Sequence, residues 1–309
     1  MTTAARKTII DSDWLAFAVL ILAGLCLDLA VRFYPTEMPY WMPWEFSWPV
    51  FLGSALSLHW YARGISRMYR VDRPALWRII SFMLGILSFY AVLMTHIDYA
   101  AQHMFFVHRA AHFVLHHLGA FLIVFGMPGR VLYLGMPSFL HPLCDAPATR
   151  KVMDILQHPV VAPMLFVGLL YFWLIPALHT HVMLDINLYE VMNLTMAING
   201  VMFWSLILDS RPKPPARLSS GIRAILIIVI ELPQMLLGAI LSLSMTDFYP
   251  VYRICGRIFD MSALNDMHYG GLIIWLPSTL MSFAAMICVL NTMRLNEEAA
   301  ELERQKSEF

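Results

Sequence analysis

Four histidines, His108, His112, His116 and His117, fall within ten residues of a run that is otherwise mostly apolar. At about 100° per residue, Met104, His108 and His112 share one stripe of a helix, His116 lies a little further around, and His117 points to the other side. A thioether and two imidazoles one turn apart read as ligands for a single ion. Imidazole suits copper or zinc, and the thioether favours Cu(I). Two histidines at i and i+4 are a familiar metal-binding geometry. His96 (two residues after Met94) and His103 add donors across a short connection, and Asp98, Asp247, Asp266 and His268 offer more. The plainer reading of His116 or His117 taken singly is an interhelical hydrogen bond, worth about 0.6 kcal/mol on average. Glu231 lies within another apolar run, followed by Pro233 and Gln234. A carboxyl there needs a proton, a metal or a hydrogen-bonded neighbour. Asn193 and Asn199 read as interhelical hydrogen-bonding residues, and most of the 22 methionines as gap-filling or lipid-facing side chains.

The elements that must position these residues are membrane helices. Of 309 residues 59% are hydrophobic and only 14% charged, with mean hydropathy +0.64. Soluble domains carry roughly 25% charged residues, so lipid must form part of the solvent of this chain. Zero formal net charge gives no reason to expect a nucleic-acid partner. Cys26, Cys144, Cys255 and Cys288 are scattered, with no C-x-x-C pair. A crossing helix needs about 20 mostly apolar residues. Eight runs qualify or nearly so: 14–33, 48–64, 75–95, 105–125, 160–178, 188–208, 222–243 and 271–293. The first is too long for a signal-peptide core and lacks a cleavage site, so it reads as a retained span. Lys and Arg gather before the first span, in the second, fourth and sixth loops and after the last span; the first, third and fifth loops have none. The seventh loop, with Arg253 and Arg257, breaks the alternation. The positive-inside rule then puts both termini in the cytoplasm and gathers nine of the twelve histidines at the outer face. The expected fold is an all-α polytopic bundle of about eight spans. Residues 1–13 form a cytoplasmic segment, 14–47 a first helix with its outer loop, 48–293 a seven-helix domain, and 294–309 a charged cytoplasmic tail.

Several ordered motifs carry a resemblance. His108-Arg-Ala-Ala-His112 sits where an H-M-x-x-H motif would stand, and Gly126-Met-Pro128, His158-Pro159, Phe203-Trp204 and Leu236-Leu-Gly238 follow in order. Tyr249-Pro-Val-Tyr252 and Leu264-Asn-Asp266 through Trp275 complete the series. From about Trp48 to Met293 the chain resembles the multi-span CtaG family of cytochrome c oxidase assembly factors, with 14–33 as an additional helix. The resemblance implies a non-enzymatic factor delivering copper to a haem-copper oxidase. Leu174, Tyr189 and Asn193 stand where that family has histidines, and Met267 and His268 where it has paired glutamines, which leaves open a branch serving another copper enzyme.

The leading expectation is therefore an assembly factor handling Cu(I) at the outer face of a bacterial cytoplasmic (inner) membrane. His108, His112, Met104, His103, His96, His268 and Asp266 are its candidate ligands, with Glu231, His116, His117 and Asn193 as further intramembrane polar residues. Expected partners are the lipid bilayer, a copper enzyme such as a haem-copper oxidase subunit, and a periplasmic copper donor. Three other classes compete. His112-Phe-Val-Leu-His116-His117 reads as one box of a membrane di-iron oxidoreductase, which would need further boxes. A b-type cytochrome would need an opposing intramembrane histidine, for which only His59 is placed. A transporter would work through Glu231 and the Pro233 break.

Overall fold

The computed structural model describes residues 3–254 and 256–307, with side chains from residue 14 onward; the side chains of 1–13 and Cys255 lie outside the described residues. It is all-helical, and no strand occurs among the described residues. In chain order the α-helices are α1 (Thr3–Phe33), α2 (Trp48–Arg67), α3 (Leu76–Met94), α4 (His96–His103), α5 (Phe105–Phe113), α6 (Gly119–Phe125), α7 (Gly129–Gly135), α8 (His141–Asp145), α9 (Pro147–Leu156), α10 (Val161–Trp173), α11 (Pro176–Leu184), α12 (Ile186–Ile207), α13 (Ser220–Leu243) and α14 (Ala263–Ser307). Helices α5 and α6 are one continuous span, joined by a π-turn at Val114–Leu118.

Among the described residues, six helices are long and apolar enough to cross a membrane, or seven if α9 and α10, bent by 66° at their break, count as one crossing. Helix α2 has the length, 20 residues, but Ser54, Ser57, His59, Arg63, Ser66 and Arg67 dilute its apolar character, and it is not among those six. The expected fifth span divides. Helix α10 stops at Trp173 and α11 begins at Pro176, whose ring disfavours helix at the residue before it. The last helix is longer than the apolar run, because α14 continues without a break from Ala263 through the charged tail to Ser307.

Two ends of the bundle differ in charge. At one end lie α4, α11 and the start of α2, where the Trp44 amide donates to the Met94 carbonyl at 2.7 Å. At the other lie α7 to α9 and the end of α2, where Arg67 donates to the Leu134 carbonyl. Close approach fixes this second end, since a Cβ on Gly135 would fall 1.7 Å from the Trp60 carbonyl oxygen. Helix α1 packs only lightly on the rest and leaves Leu15, Leu22 and Leu29 exposed, as a lipid-facing helix would. The cores instead surround α5, the π-turn and α6. One, around Phe105, Met192, Met196, Leu237 and Tyr252, packs beside α5, and another, around Phe166, Phe203 and Trp204, packs beside the π-turn.

Candidate functional site

Helix α5 has no side-chain cap of its own, because Met104 occupies its N-cap position in an extended conformation. Asp266, from the start of α14, supplies the cap instead. Its carboxylate accepts from the Phe105 and Phe106 amides at 3.1 and 2.9 Å and pairs with Arg257 at 3.3 Å. This fixes the register of the histidine-bearing span against α14. His108 and His112 then project from one face, their rings stacked with centroids 4.5 Å apart. Both are buried, at 0% and 3% exposure, and neither ring has a hydrogen-bond partner among the described residues. The nearest polar groups, the Ala101 carbonyl for His108 and the Asn193 amide for His112, approach without closing a bond of normal geometry.

The expected placement of His116 and His117 on different sides needs correction. The Gly119 amide bonds to the Val114 carbonyl, five residues back, so the chain widens here and the 100° phase is lost. His116 and His117 both pack on Phe166, at 3.8 and 5.1 Å. The cause lies in α12. A Cβ at Gly200 would stand 2.7 Å from the His116 carbonyl oxygen, and the Trp204 indole donates to that same oxygen at 3.1 Å. The His117 Nε2 proton goes to Gln234 Oε1 at 2.9 Å, while Gln234 Nε2 donates to the Ile230 carbonyl. That arrangement leaves the His117 Nδ1 lone pair without a partner.

Two small spaces flank this column. The first, at the α4 end, has a volume near 30 Å³ and is lined by Glu45, Asp98, Tyr189, Glu190 and Asn193 among others. Tyr189 donates to Asp98 at 2.7 Å and Gln102 donates to it at 2.9 Å. Burial nevertheless pushes the Asp98 carboxyl up to about 7. The second space, near 20 Å³, lies deeper among Arg109, His112, His116, His117, Met196 and Gln234.

His179 joins the cluster, its ring meeting His108 edge-on at 5.3 Å. Its Nδ1 proton goes to the Trp173 carbonyl at 3.0 Å, and Nε2 accepts from the Tyr252 hydroxyl at 3.0 Å. Burial and the Arg109 charge hold it down at about 3, so it stands as a neutral, doubly engaged ring. His181 is exposed. His103 donates to the Tyr99 carbonyl at 2.9 Å, and His268 to the Ser244 carbonyl at 2.7 Å. His96 packs between Tyr40 and Trp44 at 4.7 and 5.0 Å. Glu231 accepts from Thr279 and Ser282 of α14 at 2.5 and 2.6 Å, so its carboxylate ties α13 to α14. Among the described residues, no group of three or more His, Cys, Asp or Glu is arranged to hold a metal ion.

A family model described as the cytochrome c oxidase caa3 assembly factor matches residues 59–294, which include every residue of the histidine cluster. The chain belongs to that family. No curated protein and no solved structure matches it. The match begins eleven residues after Trp48, so α1 and the first half of α2 precede it. As a caa3 assembly factor, the chain is a membrane protein whose process is cytochrome c oxidase assembly, with an oxidase as partner. In this assembly factor, Tyr189 and Asn193, which stand where the motif comparison expects histidines, come to the His108/His112 pair. The rings of Tyr189 and His108 are 5.8 Å apart, and Asn193 adjoins His112. Met196 and Gln234 had no motif to mark them. The legible hint was spacing: Tyr189, Met192, Asn193, Met196 and Gly200 fall at i, i+3, i+4, i+7 and i+11 on α12.

Proposed function

We propose that this chain assembles its oxidase by handling Cu(I) as cargo, with His108 and His112 as the receiving ligands. The carrying observation is the stacked, buried pair whose four ring nitrogens have no partner among the described residues. Buried polar atoms are nearly always hydrogen-bonded, and neutral imidazole nitrogens without partners are in the state a soft monovalent metal needs. Met104, fully buried one turn before His108, is the thioether donor beside them. Asp98, Glu45 and Glu190 draw a cation in from the α4 end, and Tyr189 with Asn193 separates that mouth from the pair. His96 and His103 serve as outer acceptors near the mouth, while Asp266 and His268 hold helices in place.

In this reading the chain crosses a bacterial cytoplasmic membrane eight times. Helix α2, of lower hydropathy, and the bent α9–α10 pair supply the two further crossings. Both termini are cytoplasmic, because the arginine-rich α7 end faces inward. The α4 end faces outward, where a periplasmic donor would supply copper. Purified wild type in nanodiscs should bind Cu(I), and the His108→Asn/His112→Asn double variant should lose that binding. Unchanged stoichiometry in a folded double variant would remove the assignment.

A further inference from the structure

The least satisfied side chain among the described residues is not a histidine. Arg109 is 2% exposed, and its Nε, Nη1 and Nη2 have no hydrogen-bond partner among the described residues. A guanidinium carries five N–H donors and does not deprotonate in proteins. Its contact with the Phe105 ring, 5.3 Å from the centroid, is a cation–π interaction that offsets a small part of the charge. The other ring neighbours, Tyr189, Tyr249, Tyr252 and three histidines, carry no negative charge in their ordinary states.

Each buried carboxylate nearby is engaged elsewhere. Asp266 caps α5 and pairs with Arg257. Asp98 takes Tyr189 and Gln102, and Glu231 takes Thr279 and Ser282. An uncompensated buried charge is among the costliest features a fold can hold. Arg109 also lines the inner cavity, along with His112, His116, His117, Met196 and Gln234. We propose that this cavity is an anion site, in which a small monovalent anion of the halide class sits against the Arg109 guanidinium.

Size and chemistry select that occupant. About 20 Å³ accommodates one water-sized body, and the apolar walls formed by Phe113, Leu170 and Ile274 exclude a phosphate or a lipid headgroup. A water molecule would accept hydrogen bonds but would leave the charge unbalanced. His112 and His116, whose ring nitrogens are unpartnered, each present an N–H toward the same space in one tautomer. Gln234 is held by His117 and Ile230 and fixes the far wall. The anion screens Arg109 from the outer pair, and the assignment holds whatever cargo that pair carries.

Bromide is the probe. Crystals of the full chain grown in sodium bromide should show an anomalous peak within hydrogen-bonding distance of the Arg109 guanidinium. Replacing isethionate by bromide at constant ionic strength should raise the thermal midpoint of wild type and of Arg109→Lys saturably, and should leave Arg109→Met unshifted. An ordered guanidinium with water alone beside it, or an equal shift in Arg109→Met, overturns the proposal. If Arg109→Met does not fold, presence or absence of the wild-type bromide peak decides.

Discussion

The two small spaces beside the histidine column meet across Asn193 and His112, yet they are built with opposite charge. The outer pocket gathers Glu45, Asp98 and Glu190; the inner cavity contains Arg109 and no carboxylate. A cation is therefore favoured in the outer pocket, whereas the Arg109 charge, which bears on His108, His112 and His179, calls for an anion on the inner side. The difference teaches that a row of histidines along one helix is not one site. The surroundings divide it, with His108 and His112 beside Tyr189 and Asn193, and His116 and His117 against Phe166 and Gln234. The span itself changes character at the same place, where α5 gives way to the π-turn.

The largest effect that can sharpen this comparison comes from Asp98. Its folded-state carboxyl titrates near 7 against 3.8 in the ordinary state, so between these values the folded protein holds more protons than the unfolded one. Stability should fall as pH rises through that window, by on the order of 4 kcal/mol at most. Asp98→Asn should flatten that slope, as measured by thermal midpoints from pH 4 to 8. An equally steep profile in the variant would show that the outer pocket does not hold a strained carboxyl.

A middle-sized effect tests the inner side. Gly200→Ala places a methyl against the His116 carbonyl, which is backbone and cannot swing aside. Overpacking of this kind costs about 1–3 kcal/mol, and it should also break the Trp204 bond to that carbonyl. Loss of the π-turn would return His117 toward the opposite side, as an unbroken helical phase requires. A lower thermal midpoint with altered Trp fluorescence is the expected reading. The smallest effect is that of Tyr189→Phe, which removes one hydrogen bond to Asp98. It should cost about 1 kcal/mol and move the Asp98 titration further up, because the lost bond favours the ionised form. A downward move would separate Tyr189 from the outer pocket.

These contrasts also mark what the sequence made legible. Apolar runs located α3, α12, α13 and the end of α1 within a few residues, because membrane-crossing length is a local property. The His108/His112 stripe was equally local, being one helical turn. The π-turn was not, because it is imposed by Gly200 and Trp204, more than eighty residues away in the chain. Nor was the break before Pro176, which lies inside a run of uniform hydropathy and brings His179 against His108. Tyr189 and Asn193 could be read as departures from a motif. Their closeness to the histidine pair appeared only once α12 was packed on α5. Arg109 stood inside the His108–His112 motif, and its lack of a carboxylate partner among the described residues is a property of the fold.

The central claim is that the outer pair, and not the inner histidines, receives Cu(I). Copper K-edge absorption on Cu(I)-loaded protein in nanodiscs tests it directly. A shell containing imidazole nitrogen should be kept in His116→Asn/His117→Asn and lost in His108→Asn/His112→Asn. A copper shell that survives loss of His108 and His112 but disappears with His116 and His117 would contradict the account.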